Sequence, residues 1–382
     1  MKLIFDKQAL LEALTPAMTT VSNKNTISSL EGILFECEKG NKIVRLSSYD
    51  MKKGVISEVE AESVEEEGSH IIPAHRLQQI LRLMPNGRVT IDVDSSQKAT
   101  ISSLSGHFSL KAQSGTEFPS LPELNIEKSF SIKSRLLKRV IGKVLHSIAE
   151  QDVKAMLCGA FFLVEEDGLE VVSCNNFMLS RCHIKCPVGD VKNENGDPLS
   201  FIVPGHALQE LIKLLEDKEE DIIISLARKH VMFKKENLLF FTRLIEEKYM
   251  DYRRIIPTGM PISVKIAREH LLEGIERVNL IAEEKAQANT RSFVKIDLEG
   301  SLFKMTAVSA SGNAYEEIAC EHDGDDLQIG FNGRFLLSCI RAIESEELLL
   351  TMKSATQSMT IEPAVKKEEE ELFYLVLPLR MT

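Results

Sequence analysis

The chain has no apolar run approaching the roughly 18 to 20 residues that a membrane-crossing helix needs. It shows no export signal either: Met1-Lys2-Leu3-Ile4-Phe5-Asp6 reaches charge too early for an apolar signal core. The expectation is a cytoplasmic protein whose seven cysteines are reduced thiols. A glycine-rich phosphate loop and a Gly-x-Ser-x-Gly elbow are both missing, so no enzyme signature stands out. Zinc fingers, base-reading motifs and aromatic RNA-binding signatures are missing too, which removes sequence-specific readout of nucleic acid. One metal-like cluster occurs, Cys182-His183-Ile184-Lys185-Cys186. On a strand, Cys182 and Cys186 share a face while His183 points the other way, and no second Cys pair sits at zinc spacing. Buried thiols are expected there, not a metal centre. The acidic run Glu60 to Glu67 reads as a solvated loop. No catalytic residue, metal ligand or cofactor is expected.

What is present describes a globular protein. Of 382 residues, 43% are hydrophobic and 27% charged, and the length suits two to three domains. Acidic residues outnumber basic ones, 57 to 46, for a net charge of −11. Taken alone, that charge speaks against a partner recognised through phosphates.

The chain repeats. Ile71-Ile72-Pro73-Ala74-His75-Arg76-Leu77-Gln78-Gln79-Ile80-Leu81 matches Ile202-Val203-Pro204-Gly205-His206-Ala207-Leu208-Gln209-Glu210-Leu211-Ile212 in register. A looser third copy begins at Gly330-Phe331-Asn332-Gly333-Arg334-Phe335. Each is a strand end running into a short amphipathic helix. Earlier in each repeat lies another helix pattern, Leu10 to Leu14, Leu136 to Val140 and Leu271 to Ile275. Short β-like runs separate the two, among them Gly32 to Cys37, Leu169 to Ser173 and Phe293 to Leu298. Phe118-Pro119-Ser120-Leu121-Pro122 and Ile256-Pro257-Thr258-Gly259-Met260-Pro261 are the Pro-rich stretches where linkers would fall. The expected architecture is α+β, three repeated domains near 1–125, 126–257 and 258–382, each of two helices plus antiparallel sheets with its own core.

Charge is segregated within this pattern. Lys133 to Ser147 carries Lys133, Arg135, Lys138, Arg139 and Lys143 and no acid. Ala74 to Met84 carries Arg76 and Arg82, and Gly333 to Ile343 carries Arg334 and Arg341, again without acids. Gly205 to Leu215 adds Lys213 against Glu210, whereas the helices near Glu12 and Glu269 do not share the bias. Helices gathered on one surface could face phosphates while acidic sheets face outward. Such contact is electrostatic and independent of sequence, so the protein could slide.

Several segments together resemble a known family. They are Phe118-Pro119, Gln151-Asp152-Val153, Asp251-Tyr252-Arg253-Arg254-Ile255-Ile256-Pro257, the Ile-Pro-Ala-His-Arg helix start, and the ending Tyr374-Leu375-Val376-Leu377-Pro378-Leu379-Arg380-Met381. Over the whole chain this is similar to the beta subunit of bacterial DNA polymerase III, the sliding clamp. The resemblance implies three similar domains per chain and a head-to-tail homodimeric ring with helices lining the pore. It implies a non-catalytic processivity factor that encircles double-stranded DNA and is loaded by an ATP-driven clamp loader. Its partners would be the polymerase III alpha subunit, the clamp loader, other polymerases, and mismatch-repair or ligase proteins carrying short clamp-binding peptides. No membrane partner is implied.

The resemblance also implies sites. Lys24, His75, Arg76, Arg82, Gln151 and Lys154 fall where the family contacts DNA, and Arg135, Lys138 and Arg139 join them on charge as much as on alignment. A peptide groove between the second and third domains would be formed by Leu157, Cys174, Asn176, Phe177, Met178, Leu179, Met250, Arg254, Ile255, Ser358, Leu375, Leu377, Pro378, Leu379 and Arg380. Apart from the family, Leu375 to Leu379 reads as a terminal strand with alternate residues buried. Phe108 and Leu110 would meet Leu280 and Ile281 across the dimer interface. This chain departs from the pattern at Cys174-Asn175-Asn176-Phe177-Met178-Leu179, where the family commonly has Thr-Asp-Gly-His-Arg-Leu, and at Met250, where Pro is common. The groove should be more apolar at that end. A three-repeat interaction scaffold that never encircles DNA is the other reading; the basic helix from Lys133 favours the clamp.

Overall fold

A computed structural model describes residues 1–21, 27–104, 106–189, 191–282, 293–310 and 312–380. Six α-helices occur among them, two per sequence repeat. They are α1 (Lys7–Ala17), α2 (Ala74–Leu83), α3 (Ser134–Val144), α4 (Gly205–Leu214), α5 (Arg268–Ala282) and α6 (Gly333–Ala342). Local chemistry sets their starts. The Asp6 carboxylate accepts from the Gln8 and Ala9 N–H groups at 2.9 and 3.1 Å and caps α1. Asn332 caps α6 by accepting from the Arg334 N–H at 3.0 Å. Pro73 and Pro204 close the strands before α2 and α4, since neither has an N–H to carry the ladder on. The three- and four-residue apolar spacing then does what it predicts: in α2 it buries Ala74, Leu77 and Leu81 and leaves Arg76 and Arg82 outside.

The strand pairings are antiparallel. The chain packs as two compact units, one of Met1–Arg135 with Gln209–Leu244 and one of Leu136–Leu208 with Ile245–Thr382. Each holds a nine-stranded sheet that continues across a repeat boundary. In the first unit, strand Leu238–Arg243 of the middle repeat pairs with Lys53–Glu60, Phe240 standing opposite Val55. In the second, Met178–Lys185 pairs with Glu370–Val376, Leu179 opposite Leu375. Each unit also has a smaller sheet. The five-stranded one ends on Gly106–Lys111, and the four-stranded one ends on Gly312–Ala319.

The cores form under these shared sheets. In the first unit Leu34, Ile71, Phe118, Met232 and Phe241 pack together, with Leu121 and Leu124 partly buried against them. The Pro-rich stretch expected as a linker is thus pinned by its own apolar side chains. The strands of the middle repeat are divided between the two nine-stranded sheets. Strand Glu370–Val376 differs from the expected alternation: Leu372 to Val376 are all buried. It lies inside a sheet, between Met178–Lys185 and Met359–Pro363, and is covered on both faces.

Candidate functional site

The second unit carries an apolar cluster roofed by aromatic rings. Leu157, Val172, Cys174, Leu179, Tyr249, Tyr252, Phe373 and Leu375 are buried in it, with Met156, Phe161 and Met250 partly so. Phe161 stacks on Tyr249 at 5.0 Å between centroids. Beneath lies one fully buried carboxylate, Glu170. It accepts from the Tyr252 hydroxyl and from Arg181 Nε, and Arg253 Nη2 approaches at 3.4 Å. The second arm of Arg181 reaches Glu371 at 3.1 Å. Burial, then the hydrogen bond to Glu170, pushes the Tyr252 hydroxyl far above its ordinary range, so it remains a donor. Of the Asp251–Arg254 segment, Tyr252 and Arg253 are therefore anchors, whereas Arg254 stays at the surface, paired with Asp251 at 2.8 Å.

The expected groove positions separate into two sets. Leu157, Cys174, Met178, Leu179 and Leu375 are buried, so they support the wall from beneath instead of lining an open surface. Asn176, Phe177, Met250, Arg254, Ile255, Ser358, Leu377, Pro378, Leu379 and Arg380 keep exposed or half-exposed surface. A tight turn presents the first of these. Asn175 accepts through its side chain from the Phe177 and Met178 N–H groups at 3.1 and 2.9 Å, and Asn176 takes φ of 69°, which asparagine tolerates. Asn176 Nδ2 donates to Asp152 Oδ2 at 2.7 Å, tying the Gln151–Lys154 segment to this wall. Phe177 is 52% exposed. Its carbonyl accepts from the Leu377 N–H at 2.9 Å, and its ring stacks on Phe335 of α6 at 5.8 Å. Phe177, Leu377 and Phe335 thereby make an apolar edge where the sequence pattern departs from the family.

The basic side chains fare unevenly. Arg76, Arg82, Gln151 and Lys154 are exposed, His75 is half-buried, and neither arginine makes an ion pair with a described residue. On α3 the acid-free stretch is deceptive, because acids distant in sequence reach it. Arg135 pairs with Glu219. Arg139 pairs with Glu370 at 2.5 Å and Glu344 at 3.5 Å. Lys143 is buried, donating to the Ala342 carbonyl and to Glu344, both at 2.7 Å. Lys133 pairs with Asp221 at 2.9 Å. Only Lys138 on this stretch has no ion pair among the described residues. Lys24 lies outside the described residues. On the edge strand Gly106–Lys111 of the five-stranded sheet Phe108 is exposed and Leu110 half-exposed, and in the last turn of α5 Leu280 is exposed and Ile281 half-exposed. A cleft of about 830 Å³ lies in the first unit beside Glu12, Pro16 and Lys235 and includes none of the expected site residues.

Residues 1–122, 131–251 and 253–380 match, in order, the N-terminal, central and C-terminal domain models of the DNA polymerase III beta subunit. The chain belongs to that family. The beta sliding clamps of Pseudomonas aeruginosa and Halalkalibacterium halodurans are each 26% identical over the full length of both chains. Among solved structures, the DNA polymerase III subunit beta of P. aeruginosa matches with a TM-score of 0.90 at 25% identity over all of both chains. A Bartonella birtlesii sliding clamp bound to griselimycin matches equally, 0.90 and 25%, again over all of both chains. The beta-subunit chain is thus a DNA sliding clamp, a non-catalytic processivity factor built of three α+β clamp-type domains.

Three residues of this site escaped the sequence reading. Phe335 sits in the first turn of the third helix copy, where the other two copies carry Arg76 and Ala207, and that aromatic replacement was the available signal. Tyr249 precedes the Asp251–Arg254 motif by two residues. Glu170 gave no signal, being a single acid within an apolar strand. The thiols behave as expected: Cys182 and Cys186 are buried, and burial pushes the Cys182 thiol far above its ordinary range. His183 turns away from both, towards Glu165 and Asp167.

Proposed function

We propose that two copies of this chain pair head to tail into a ring whose helices line a pore holding duplex DNA. The three domains run 1–125, 126–257 and 258–382. Exposed Arg76, Arg82, Gln151 and Lys154, with half-buried Lys138 and His75 and with Lys24, touch phosphates in exchangeable contacts, and retention on DNA is topological. Arg135 and Arg139 contribute less, since each must leave an acid of its own chain to reach a phosphate. Phe108 and Leu110 of one copy meet Leu280 and Ile281 of the other. The end-to-end match of the chain to three successive clamp domains supports this reading most strongly.

A second part of the proposal concerns the apolar edge at Phe177. The surface from Asn176 to Leu377, with Ile255, Pro378, Leu379 and Arg380, accepts an extended peptide bearing Leu or Phe side chains. The buried set, Leu157, Cys174, Met178, Leu179 and Leu375, fixes its floor. Such peptides belong to the polymerase III alpha subunit, the clamp loader, other polymerases, and mismatch-repair or ligase proteins. The site of action is the replication fork in the cytoplasm, with no membrane partner; no helix among the described residues is long and apolar enough to cross a bilayer.

The test uses the matching clamp loader, ATP and nicked circular DNA. Complexes are isolated by gel filtration in moderate salt and half are linearised. Retention on circles with loss from linear ends is expected. Equal retention on both overturns the topological mechanism, and retention on neither, with the loader active on a control clamp, favours a scaffold that never encircles DNA.

A further inference from the structure

Three donor groups outside the groove and the basic helices converge in the second unit. Strand Gly159–Glu165 ends at Glu165, the turn after it carries Asp167, and His183 stands two strands along in the same sheet, on strand Met178–Lys185. His183 is only 5% exposed, and its Nε2 is buried without a hydrogen-bond partner. Buried imidazole nitrogens normally find one. Two carboxylate oxygens face this nitrogen, Asp167 Oδ1 at 3.6 Å and Glu165 Oε2 at 3.8 Å. Those separations are too long for hydrogen bonds. They suit ligands of one shared ion, because two bonds of about 2.0–2.2 Å hold their donor atoms roughly 3–4 Å apart. The donor atoms of all three residues lie within 4.8 Å of one another. Gly168 keeps the space beside the ring clear, since a Cβ there would stand 3.0 Å from Nε2.

We propose that Glu165, Asp167 and His183 bind one divalent transition-metal cation per chain, with water filling its remaining positions. One imidazole nitrogen with two carboxylates selects Zn²⁺ or a neighbour in the first row over Mg²⁺ and Ca²⁺, which take oxygen donors. Neutral His183 supplies the lone pair, and the two acids neutralise the cation. Cys186 takes no part; its thiol faces the Ile184 carbonyl at 3.6 Å. Glu165 also faces Arg253 Nη2 through its other oxygen, at 3.4 Å. The ion therefore pins the Glu165–Gly168 turn to strand Met178–Lys185 beside the segment that anchors Tyr252. Binding only the folded state, it raises stability.

The experiment strips the full-length protein with a chelator and titrates it with Zn²⁺ alone, in a thiol-free reductant, reading metal per chain and unfolding temperature. Co²⁺ then serves as a spectroscopic probe. One Zn²⁺ per chain and a higher unfolding temperature are expected. Asp167→Asn, a change in an exposed turn that leaves the fold intact, should weaken binding at least tenfold. His183→Gln should abolish it, and Cys186→Ser should leave it unchanged. Equal binding by Asp167→Asn and the parent overturns the proposal. So do thiolate charge-transfer bands in the Co²⁺ spectrum, or no uptake of Zn²⁺ by the stripped parent protein.

Discussion

Replacing Glu170 by Ala tests the buried charge cluster most directly. The carboxylate is fully buried and serves Arg181, Tyr252 and Arg253 at once. Its removal leaves the largely buried Arg181 guanidinium with the exposed Glu371 alone and the Tyr252 hydroxyl without its acceptor. Breaking a buried pair from one side costs about 3–5 kcal/mol. At about 2–4 °C per kcal/mol for a unit of 150–250 residues, the second unit should melt roughly 6–20 °C earlier. Scanning calorimetry with far-UV circular dichroism follows that transition. Pairing Glu170→Ala with Arg181→Met removes the stranded charge and should recover roughly half of the loss or more. If Glu170→Ala shifts stability by less than about 1 kcal/mol, or if the second change deepens the loss, the cluster is not the support described here.

Three further outcomes follow from named contacts. Phe177→Ala removes the exposed ring of the groove edge, so affinity for a Leu- or Phe-bearing clamp-binding peptide should fall about tenfold, with stability within about 0.5 kcal/mol, by fluorescence anisotropy and urea unfolding. Reversing Arg76 and Arg82 to Glu should shorten retention on nicked circles and flatten the salt dependence of DNA contact by about 0.9 per lost phosphate in the log–log slope; an unchanged slope removes both from the pore. His146 keeps only part of its surface in water, and this partial burial lowers its pKa from 6.5 to about 4. Its folded pKa lies below the unfolded one, so no stability is lost above pH 6.5, and the loss accumulates as pH falls from there to about 4. Between pH 7 and 5 that amounts to about 2 kcal/mol, which His146→Phe should abolish in urea titrations at the two pH values.

What could be read in advance was what adjacent residues decide. The Pro-His helix starts at Pro73 and Pro204 were visible because a ring without an N–H, followed by three- and four-residue apolar spacing, leaves few local options. The run Gly32 to Cys37 was visible as a strand for the same local reason. Pairing between distant segments was not. α3 looked like free positive charge because Glu344 and Glu370 lie about 200 residues further on, and nothing local says that they return to it. The buried groove positions were hidden likewise: Leu179 and Leu375 look like lining residues until their strands are seen side by side inside a sheet. Glu170 reads as an ordinary strand acid, and its burial follows from Tyr252 and Arg181 closing over it.

The continuity of the nine-stranded sheets bears on how the chain is made. Strand Lys53–Glu60 is flanked on one side by Ile43–Tyr49 as soon as it emerges from the ribosome. Its other neighbour, Leu238–Arg243, is synthesised roughly 180 residues later. At about 5–20 residues per second, that edge waits unpaired for roughly 10–40 s. Throughout this time the nascent chain presents a row of open backbone donors and acceptors over an apolar face, a template for pairing with another nascent copy. A ribosome stalled within the middle repeat would leave a product that is incomplete and also adhesive, so pauses in translation between residues 60 and 238 should cost more soluble protein than pauses after residue 243.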